Sequence, residues 1–497
     1  MIQQLPAIIV VFPLVMSFFV VVTGLWSKRI CFPLVVTAIS VCVLSAGIIL
    51  SSVINQGPIH YWLGGWQPPW GIEYFVDHLN AFMLVAVSLL SLLVAVHSKR
   101  SVEQELPEKR SQFWSLFLLL ITGLLGITIT GDMFNLFVLL EVASLSGYAL
   151  IAMGQKKAVF ASFRYLVMGT IGASWYLLGV GYLYIITGSL NIANLSELLP
   201  HMYQSKTVLV GFAFILVGIG IKMALFPLHA WLPDAYTYAP SAVSTTVAPL
   251  MTKVMAYVLI RVIFSVFKPY FSIEEIPATT ILAWMAAVAI VVGSIYAIAQ
   301  TNLKKMLSYS VVAQIGYIAL GIGLANRFGL TGAVLHIFNE IITKGCVFAV
   351  AGAVVYKKSA CNTRELENLY RKMPFTMLAF TVGAFSMIGI PPTLGFFSKL
   401  YLILGSIDAK QWVFVGILLF SSILNGVYFF RIIQIASFET PMPDYSRGTP
   451  YEKVPMDEAP LSMIIPMQIM AAGILIAGIF SADIVSTVIQ YVIPEGF

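Results

Sequence analysis

The sequence predicts an all-α membrane protein with about fourteen transmembrane helices, ten of them arranged as two inverted five-helix repeats. Of its 497 residues, 59% are hydrophobic and only 10% are charged, whereas an average soluble domain is about 25% charged. This composition excludes a soluble globule, because too little polar surface exists to cover it, and it excludes disorder. Apolar runs of roughly 20 residues, the length that crosses a bilayer, recur along the whole chain.

Each predicted helix is an apolar run bounded by polar residues. The first run, Leu5–Trp26, lacks the basic start and small-residue cleavage site of a signal peptide, so we expect it to be retained. The seventh span is interrupted at Pro227 and the twelfth at Pro391 and Pro392, because proline removes a backbone donor. The predicted spans are 4–26, 30–53, 79–97, 112–130, 132–154, 158–187, 206–237, 241–267, 278–299, 303–323, 330–356, 374–404, 411–437 and 460–480.

The basic residues predict the orientation. With the N-terminus outside and the spans alternating, nineteen of the 28 Lys and Arg residues fall on the inner side and four on the outer side. This bias follows the positive-inside rule and also places the C-terminus outside. Arg261 lies near the outer end of the eighth span, where its side chain can reach the membrane surface. The other four basic residues lie deeper in the spans, and they are Lys222, Lys253, Lys344 and Lys399.

Ionisable side chains inside the spans are the first functional signal, since a charge at mid-bilayer costs about 2.5–3.5 kcal/mol. Glu141 in the fifth span and Glu340 in the eleventh are available as acidic partners. In the eleventh span His336, Glu340 and Lys344 are spaced four apart and share one helix face. A histidine in such a row can pass a proton near neutral pH. The spacing is equally consistent with a structural ion pair between Glu340 and Lys344.

The two broken spans are the second signal. Lys222 precedes the break at Pro227, and Lys399 follows the break at Pro391 and Pro392. Irregular backbone at membrane depth is tolerated only within protein or beside water, and paired broken helices in two halves indicate an inverted-repeat transporter. The predicted division is 1–110 for helices 1–3, 111–267 and 278–437 for the two repeats, and 438–497 for a cytoplasmic loop and the last helix.

Other motifs are missing from the sequence. The four cysteines form no C-x-x-C pair and have no histidine at metal-ligand spacing. There is no P-loop and no dinucleotide-binding fingerprint. We therefore expect no metal, no cofactor and no redox centre in this chain. The net charge of +6 is explained by the inner loops of a membrane protein, so we expect the lipid bilayer, and not nucleic acid, as the surroundings.

Five segments together resemble the antiporter-like subunits of respiratory complex I, energy-converting membrane hydrogenases and Mrp-type cation/proton antiporters. The likeness extends from about residue 75 to residue 435, and its motifs are long and specific. The segments are GDMFNLFVLLEVASLSGYAL, KMALFPLHAWLPDAYTYAPSAVST, AIAQTNLKKMLSYSVVAQIGY, HIFNEIITKGCVFAVAGA and MIGIPPTLGFFSKLYLI.

The resemblance implies roles for particular residues. Glu141 and Lys222 match a coupled acid–base pair, and Lys253 matches the lysine that joins two half-channels. The remaining positions that match polar residues of the family motifs are His229, His336, Lys344 and Lys399. Glu340 departs from the pattern, because a histidine is common there, so the resemblance implies no role for it.

The leading functional hypothesis is a proton path with two half-channels joined by a buried polar chain. Glu141 and Lys222 would load a proton from one side, the polar residues of the eighth and eleventh spans would relay it, and Lys399 would exchange it with the other side. The turn GDMFNLFVLLE resembles most the D-type subunit of Mrp antiporters and its hydrogenase relatives. We expect a multisubunit Na⁺/H⁺ or other monovalent cation/proton antiporter in a prokaryotic cell membrane.

Three alternatives stay open at this stage. The first is the proton-pumping arm of a redox complex, either complex I or a membrane-bound hydrogenase, whose partner subunits would carry out the electron transfer. The second is a membrane scaffold with structural ion pairs, and the third is a solute transporter. Lys399 argues against the middle complex I subunit. Because the chain ends soon after the last span, we do not expect the largest antiporter-like type.

Overall fold

The computed structural model describes residues 2–359, 361–437 and 455–494. Within these ranges, 13 helices are long and apolar enough to cross a membrane. The twelfth predicted span is divided at its break into two shorter helices, Pro374–Ile388 and Leu394–Asp408. The prediction of an all-α membrane protein is confirmed. Residues 438–454 of the predicted cytoplasmic loop lie outside the described residues.

Helices account for nearly all of the secondary structure in the described ranges. The α-helices are α1 Leu5–Trp26, α2 Cys31–Gln56, α3 His78–Glu105, α4 Arg110–Ile129, α5 Met133–Ala152, α6 Lys156–Thr187, α7 Ile192–Leu198, α8 Lys206–Met223, α9 Leu232–Tyr238, α10 Ser241–Ile260, α11 Lys268–Tyr270, α12 Ala278–Ile298, α13 Leu303–Gly323, α14 Arg327–Lys358, α15 Leu369–Lys372, α16 Pro374–Ile388, α17 Leu394–Asp408, α18 Trp412–Ser437, α19 Leu461–Ile479 and α20 Ser481–Thr487. The strands are β1 Ile59–Trp62 and β2 Glu73–Val76.

Two sets of five spans repeat the same order of elements. The first set is α4, α5, α6, the broken pair α8 and α9, and α10. The second is α12, α13, α14, the broken pair α16 and α17, and α18. The matched helices have similar lengths, with 20 and 21 residues in α4 and α12 and 32 residues in both α6 and α14. Because each set has an odd number of spans, the second set begins on the opposite face of the membrane.

A short backbone clamp recurs at the same place in each repeat. In the first repeat, the N–H of Met133 donates to Leu190 and the N–H of Ile192 donates to Gly131, both at 2.8 Å. In the second, the matching pairs are Leu303 with Cys361 at 2.8 Å and Thr363 with Thr301 at 2.9 Å. Each clamp joins the start of a repeat's second helix to the residues that follow its third helix.

Close helix contacts also recur. A Cβ atom on Gly123 of α4 would lie 2.6 Å from the backbone nitrogen of Ala143 in α5. A Cβ atom on Gly293 of α12 would lie 2.6 Å from the backbone nitrogen of Ala313 in α13. Small residues allow helices to approach closely in membranes, where contact and not the hydrophobic effect drives association. The first two helices of each repeat are therefore packed backbone against backbone.

The two ends of the helix bundle differ. At one end β1 and β2 pair antiparallel, with Ile59 opposite Val76, and we call this end the hairpin face. At the other end, which we call the basic face, Lys28 bonds Glu108 at 3.3 Å and Lys304 donates to the carbonyl of Ala239 at 2.6 Å. The hairpin lies in the stretch between the second and third predicted spans, where the sequence predicts no transmembrane helix.

Two predictions at the hairpin face and the third span need correction. Arg261 does not reach out to the membrane surface, because its guanidinium lies 2.5 Å from the Asp77 carboxylate and its side chain is only 15% exposed. Helix α3 ends at Glu105 and not at residue 97. Its last two turns, SKRSVEQE, are polar and extend beyond the apolar run that defined the predicted span.

Candidate functional site

In the part of the chain that the structure describes, the ionisable residues that the sequence singles out form two ion pairs, and a cluster surrounds the second pair. The first pair joins α5 to the end of α8, where the Lys222 ammonium lies 3.3 Å from Glu141. Lys222 also donates to the Ser144 hydroxyl at 2.7 Å and the Tyr148 hydroxyl at 3.3 Å. Glu141, Ser144 and Tyr148 are spaced three and seven residues apart, so they share one face of α5. The break after α8 ends the helix one residue past Lys222.

The second pair joins α10 to α14. Lys253 and Glu340 lie 3.6 Å apart, and both side chains are fully buried. Lys253 also donates to the carbonyl of Ala248 at 3.0 Å. Among the described residues, neither oxygen of Glu340 accepts a hydrogen bond. The closest cation to the carboxylate is thus Lys253 and not Lys344, the partner that the sequence spacing had offered.

Lys344 and His336 extend the second pair along α14 toward α13 and α17. The Lys344 ammonium donates to the Ser310 hydroxyl at 2.6 Å and interacts electrostatically with the charges of Glu340 and Lys253. The His336 ring bonds Ser398 through Nδ1 at 2.9 Å and Gln314 through Nε2 at 2.8 Å. Because His336, Glu340 and Lys344 lie on one face of α14 and all three are buried, the row that the sequence predicts does exist.

Lys399 lies just past the second break and is held by it. Its ammonium donates to the carbonyl oxygens of Met387 at 2.7 Å and Ile388 at 3.1 Å, the last residues of α16. A helix end leaves such carbonyls without partners and carries a partial negative charge. The ammonium also lies over the ring of Tyr317 at 4.8 Å. The break therefore supplies the counter-charge of Lys399, which is also reached by the charges of Glu340 and Lys344.

His229 lies in the first break and is set apart from the other candidates. Its ring packs against Phe226 with the ring centres 5.1 Å apart. Within the described ranges, its Nδ1 has no hydrogen-bond partner. The ion pairs of Lys222 and Lys253 are formed with Glu141 and Glu340 and do not include it.

Sequence reasoning missed the neutral polar residues that surround the charges. The hydroxyls of Ser144 and Tyr148 contact Lys222, Ser310 contacts Lys344, and Gln314 contacts His336. The spacing of these residues could have indicated them, because Ser310 and Gln314 lie four residues apart and therefore share one face of α13. Uncharged polar side chains are common in membrane helices, so this signal is weaker than a buried charge.

The fold and the site define a class of protein: a multi-pass membrane protein in which paired broken helices enclose a row of buried acids and bases. The chain belongs to the NADH:quinone oxidoreductase/Mrp antiporter transmembrane family, whose model matches residues 130–425. It is thus an antiporter-like membrane subunit.

Comparisons with individual proteins extend over most or all of the chain. A relative named NADH-quinone oxidoreductase subunit N, from Desulforudis audaxviator, is 44% identical over 99% of both chains. The D-type subunit of a Na(+)/H(+) antiporter from Bacillus subtilis is 29% identical over 82% of this chain and 83% of its own.

Two solved structures are also similar. A chain of the archaeal membrane-bound sulfane sulfur reductase is 31% identical, covers 98% of this chain and 97% of its own, and has a TM-score of 0.89. A chain of the Mrp complex from Dietzia is 25% identical over 99% of both chains, with a TM-score of 0.87. The fold is therefore shared by a chain of an archaeal respiratory membrane complex and by a chain of an Mrp complex.

Proposed function

We propose that this chain is the proton-translocating, antiporter-like subunit of a redox-driven respiratory membrane complex, in the manner of NADH-quinone oxidoreductase subunit N. The observation that carries the proposal is the set of buried acids and bases that extends across both repeats, from Glu141 and Lys222 to Lys399. A scaffold would not need paired helix breaks that each end beside a buried lysine. A pocket for a solute would gather its charges in one place, whereas these are distributed across the bundle.

The ion pairs suggest how protons would move. When Lys222 gives up a proton, Glu141 loses its cation, so the charge of one group controls the proton occupancy of the other. Glu141 is 25% exposed whereas Lys222 is 2% exposed, so a proton would reach the pair through Glu141. The Glu340 carboxylate interacts with the charges of three lysines, namely Lys253 of the first repeat and Lys344 and Lys399 of the second. Three ammonium groups in a buried site repel one another, and the cluster would therefore work with changing numbers of bound protons.

The identity of the complex is the finer part of the proposal. The 44% identity to a NADH-quinone oxidoreductase subunit N over the whole chain favours a redox complex, and the match to a sulfane sulfur reductase chain adds to this. The Mrp-type assignment that the sequence motifs favour is supported by weaker matches, at 29% and 25% identity. We further propose that the basic face is cytoplasmic and that both termini lie outside, in a prokaryotic cell membrane.

The test uses inverted membrane vesicles that contain the assembled complex. Glu141→Gln and Lys399→Gln are each expected to lower proton uptake by about tenfold or more, because both remove a titratable group from the path. Matched controls are Glu197→Gln and Lys410→Gln, which change residues on the hairpin face, away from the buried row. Parental proton uptake in both Glu141→Gln and Lys399→Gln, at equal amounts of complex, would refute the proposed path.

A second measurement separates the two kinds of complex. In a redox complex, an electron donor acidifies the vesicles without added Na⁺. In an Mrp-type antiporter, the candidate that the Bacillus subtilis relative favours, added Na⁺ or another monovalent cation collapses a preformed pH gradient without an electron donor. Co-purifying subunits with redox centres would support the first, and the second response would reassign the chain to an antiporter.

A further inference from the structure

A cavity of about 1130 Å³ opens at the basic face, apart from the row of buried charges. It lies between the end of α3, the start of α10, the start of α13 and the end of α14. Its polar lining includes Glu105, Ser241 and Lys304. Glu105 accepts a hydrogen bond from the backbone N–H of Ser241 at 3.0 Å, which ties α3 to the first turn of α10.

His97 lies on α3, two turns of helix before the cavity-lining Glu105. His97, Ser101 and Glu105 are spaced four residues apart, so they form one face of α3 that leads inward from the cavity. The imidazole is 1% exposed. Its Nδ1 lies 3.1 Å from the carbonyl oxygen of Met463. Because a carbonyl only accepts, Nδ1 carries the hydrogen and Nε2 presents a free lone pair.

Polar atoms along this face have no protein partner. In the part of the chain that the structure describes, His97 Nε2 and the hydroxyls of Ser98 and Ser101 make no hydrogen bond. Buried polar groups are almost always paired, so three unpaired ones in five residues need an explanation. The carbonyl of Ala349 is close enough to interact with His97 once Nε2 is protonated. His97 can therefore both accept a proton and hold it between two carbonyl groups.

The Nε2 atom faces a gap between α10 and α14 at Gly352. A Cβ atom on Gly352 would lie 3.4 Å from His97 Nε2, 3.5 Å from Ser241 Cβ and 3.7 Å from Thr245 Oγ1. The absence of a side chain on Gly352 thus leaves Nε2 open toward the hydroxyl-bearing face of α10. The charged groups that line the cavity are Glu105 on α3, Lys157 on α6 and Lys304 on α13, and the other titratable groups there are Tyr238, Tyr356 and Cys361.

The same face of α10 leads to Lys253. The Lys253 ammonium turns back toward the basic face, since it donates to the carbonyl of Ala248, five residues earlier. Thr245 is three residues before Ala248, which is about 4.5 Å along the helix axis. About one turn of helix therefore separates Thr245 from the residue whose carbonyl holds the central lysine, and the Thr245 hydroxyl donates to the carbonyl of Ser241 at 2.8 Å, toward the basic face.

We propose that His97 is a proton relay that connects the basic-face cavity to Lys253, a second loading point distinct from Glu141 and Lys222. This proposal rests on the proposed function. A proton from the cavity adds to the Nε2 lone pair and forms the imidazolium. The proton then leaves Nε2 for the Thr245 oxygen, the Thr245 hydrogen passes from its bond with the Ser241 carbonyl to a water molecule on the same face of α10, and that water gives a hydrogen to Nζ of a neutral Lys253. Charge passes from His97 to Lys253, and no bond other than those to hydrogen changes.

The test compares two variants in inverted vesicles with the assembled complex. His97→Gln keeps an amide donor for the Met463 carbonyl but cannot take up a proton. Gly352→Ala leaves His97 unchanged and places a methyl group at ordinary contact distance in the gap. We expect each to lower proton uptake per complex by about tenfold. The controls are His201→Gln, at an exposed site on the hairpin face, and Gly181→Ala, where a Cβ meets nothing within 4 Å.

The outcomes separate this proposal from the proposed function. Parental uptake in Gly352→Ala and His97→Gln, together with loss in Glu141→Gln, would overturn the His97 relay and leave the proposed path intact. Loss in the two relay variants with parental uptake in both Glu141→Gln and Lys399→Gln would instead overturn the proposed function. If His97→Gln fails to assemble, Gly352→Ala decides alone, and parental uptake in that variant overturns the relay.

Discussion

Replacing Lys253 with methionine is expected to lower the free energy of unfolding by about 3–5 kcal/mol, because it leaves a buried carboxylate without a cation. The Lys253 and Glu340 charges lie 3.6 Å apart with no solvent exposure. At an effective dielectric constant of about 20 their attraction is about 4–5 kcal/mol, and the desolvation of two ions offsets most of it. The pair therefore adds little to the net free energy of unfolding, yet removal of one member is strongly destabilising.

A double-mutant cycle measures this directly. The full chain in detergent is unfolded by denaturant as the parent, Lys253→Met, Glu340→Gln and the double variant. We expect the double variant to be more stable than the sum of the two single effects by about 1–3 kcal/mol. The control cycle uses Lys28→Met and Glu108→Gln, whose side chains are 42% and 89% exposed. A solvent-exposed pair of this kind should couple by less than about 1 kcal/mol.

Additive effects within about 0.5 kcal/mol in the Lys253 and Glu340 cycle would refute the reasoning. Such a result would mean that another group neutralises the charge of Glu340, and that Lys253 is not its main ion-pair partner. Equal coupling in the two cycles would also count against it, since burial is the only feature that should separate them.

Two further predictions concern packing and pH. Gly123→Val should destabilise the chain strongly in the same unfolding assay, because a Cβ atom at this position would lie 2.6 Å from the backbone nitrogen of Ala143. The control is Gly47→Val, at a position where a Cβ atom meets nothing within 4 Å. Equal losses of stability in the two variants would contradict the packing argument. Burial raises the pKa of the Asp77 carboxyl, but the charge and hydrogen bond of Arg261 and the backbone N–H donors of Asn80 and Leu79 lower it more. The net pKa of Asp77 therefore lies below the ordinary value. The stability that Asp77 contributes is therefore present above about pH 4 and is lost as the pH falls through the lowered pKa. Asp77→Asn should flatten the pH dependence of the free energy of unfolding in that acidic range. An unchanged pH profile would contradict this prediction.

The spans and their breaks could be predicted because the bilayer imposes them. A helix that crosses hydrocarbon needs a long apolar run, and both proline interruptions fall where the structure places the ends of α8 and α16. The last turns of α3 were missed for the same reason. They extend beyond the hydrocarbon region, where polar residues continue a helix and leave no hydropathy signal.

The contacts inside the site were less predictable. The spacing of Glu340 and Lys344 on one helix offers a pair, but Lys253 on α10 comes within 3.6 Å of the carboxylate. Whether Lys253 or Lys344 lies nearer to Glu340 depends on the distance between α10 and α14. A single sequence carries no information about that distance. Lys399 shows a second limit, since its acceptors are backbone carbonyls of Met387 and Ile388, whose availability arises only from the broken helix.

The paired backbone clamps have a consequence for biosynthesis. The first clamp joins residues Gly131 and Ile192, and the second joins Thr301 and Thr363. Each needs only about 60 residues of contiguous chain, so the first can close while the second repeat is still being translated. Local closure of this kind limits the time for which the ionisable residues of an unfinished half are exposed to lipid. The two halves can therefore be inserted and secured one after the other, in opposite orientations, before their charged rows meet.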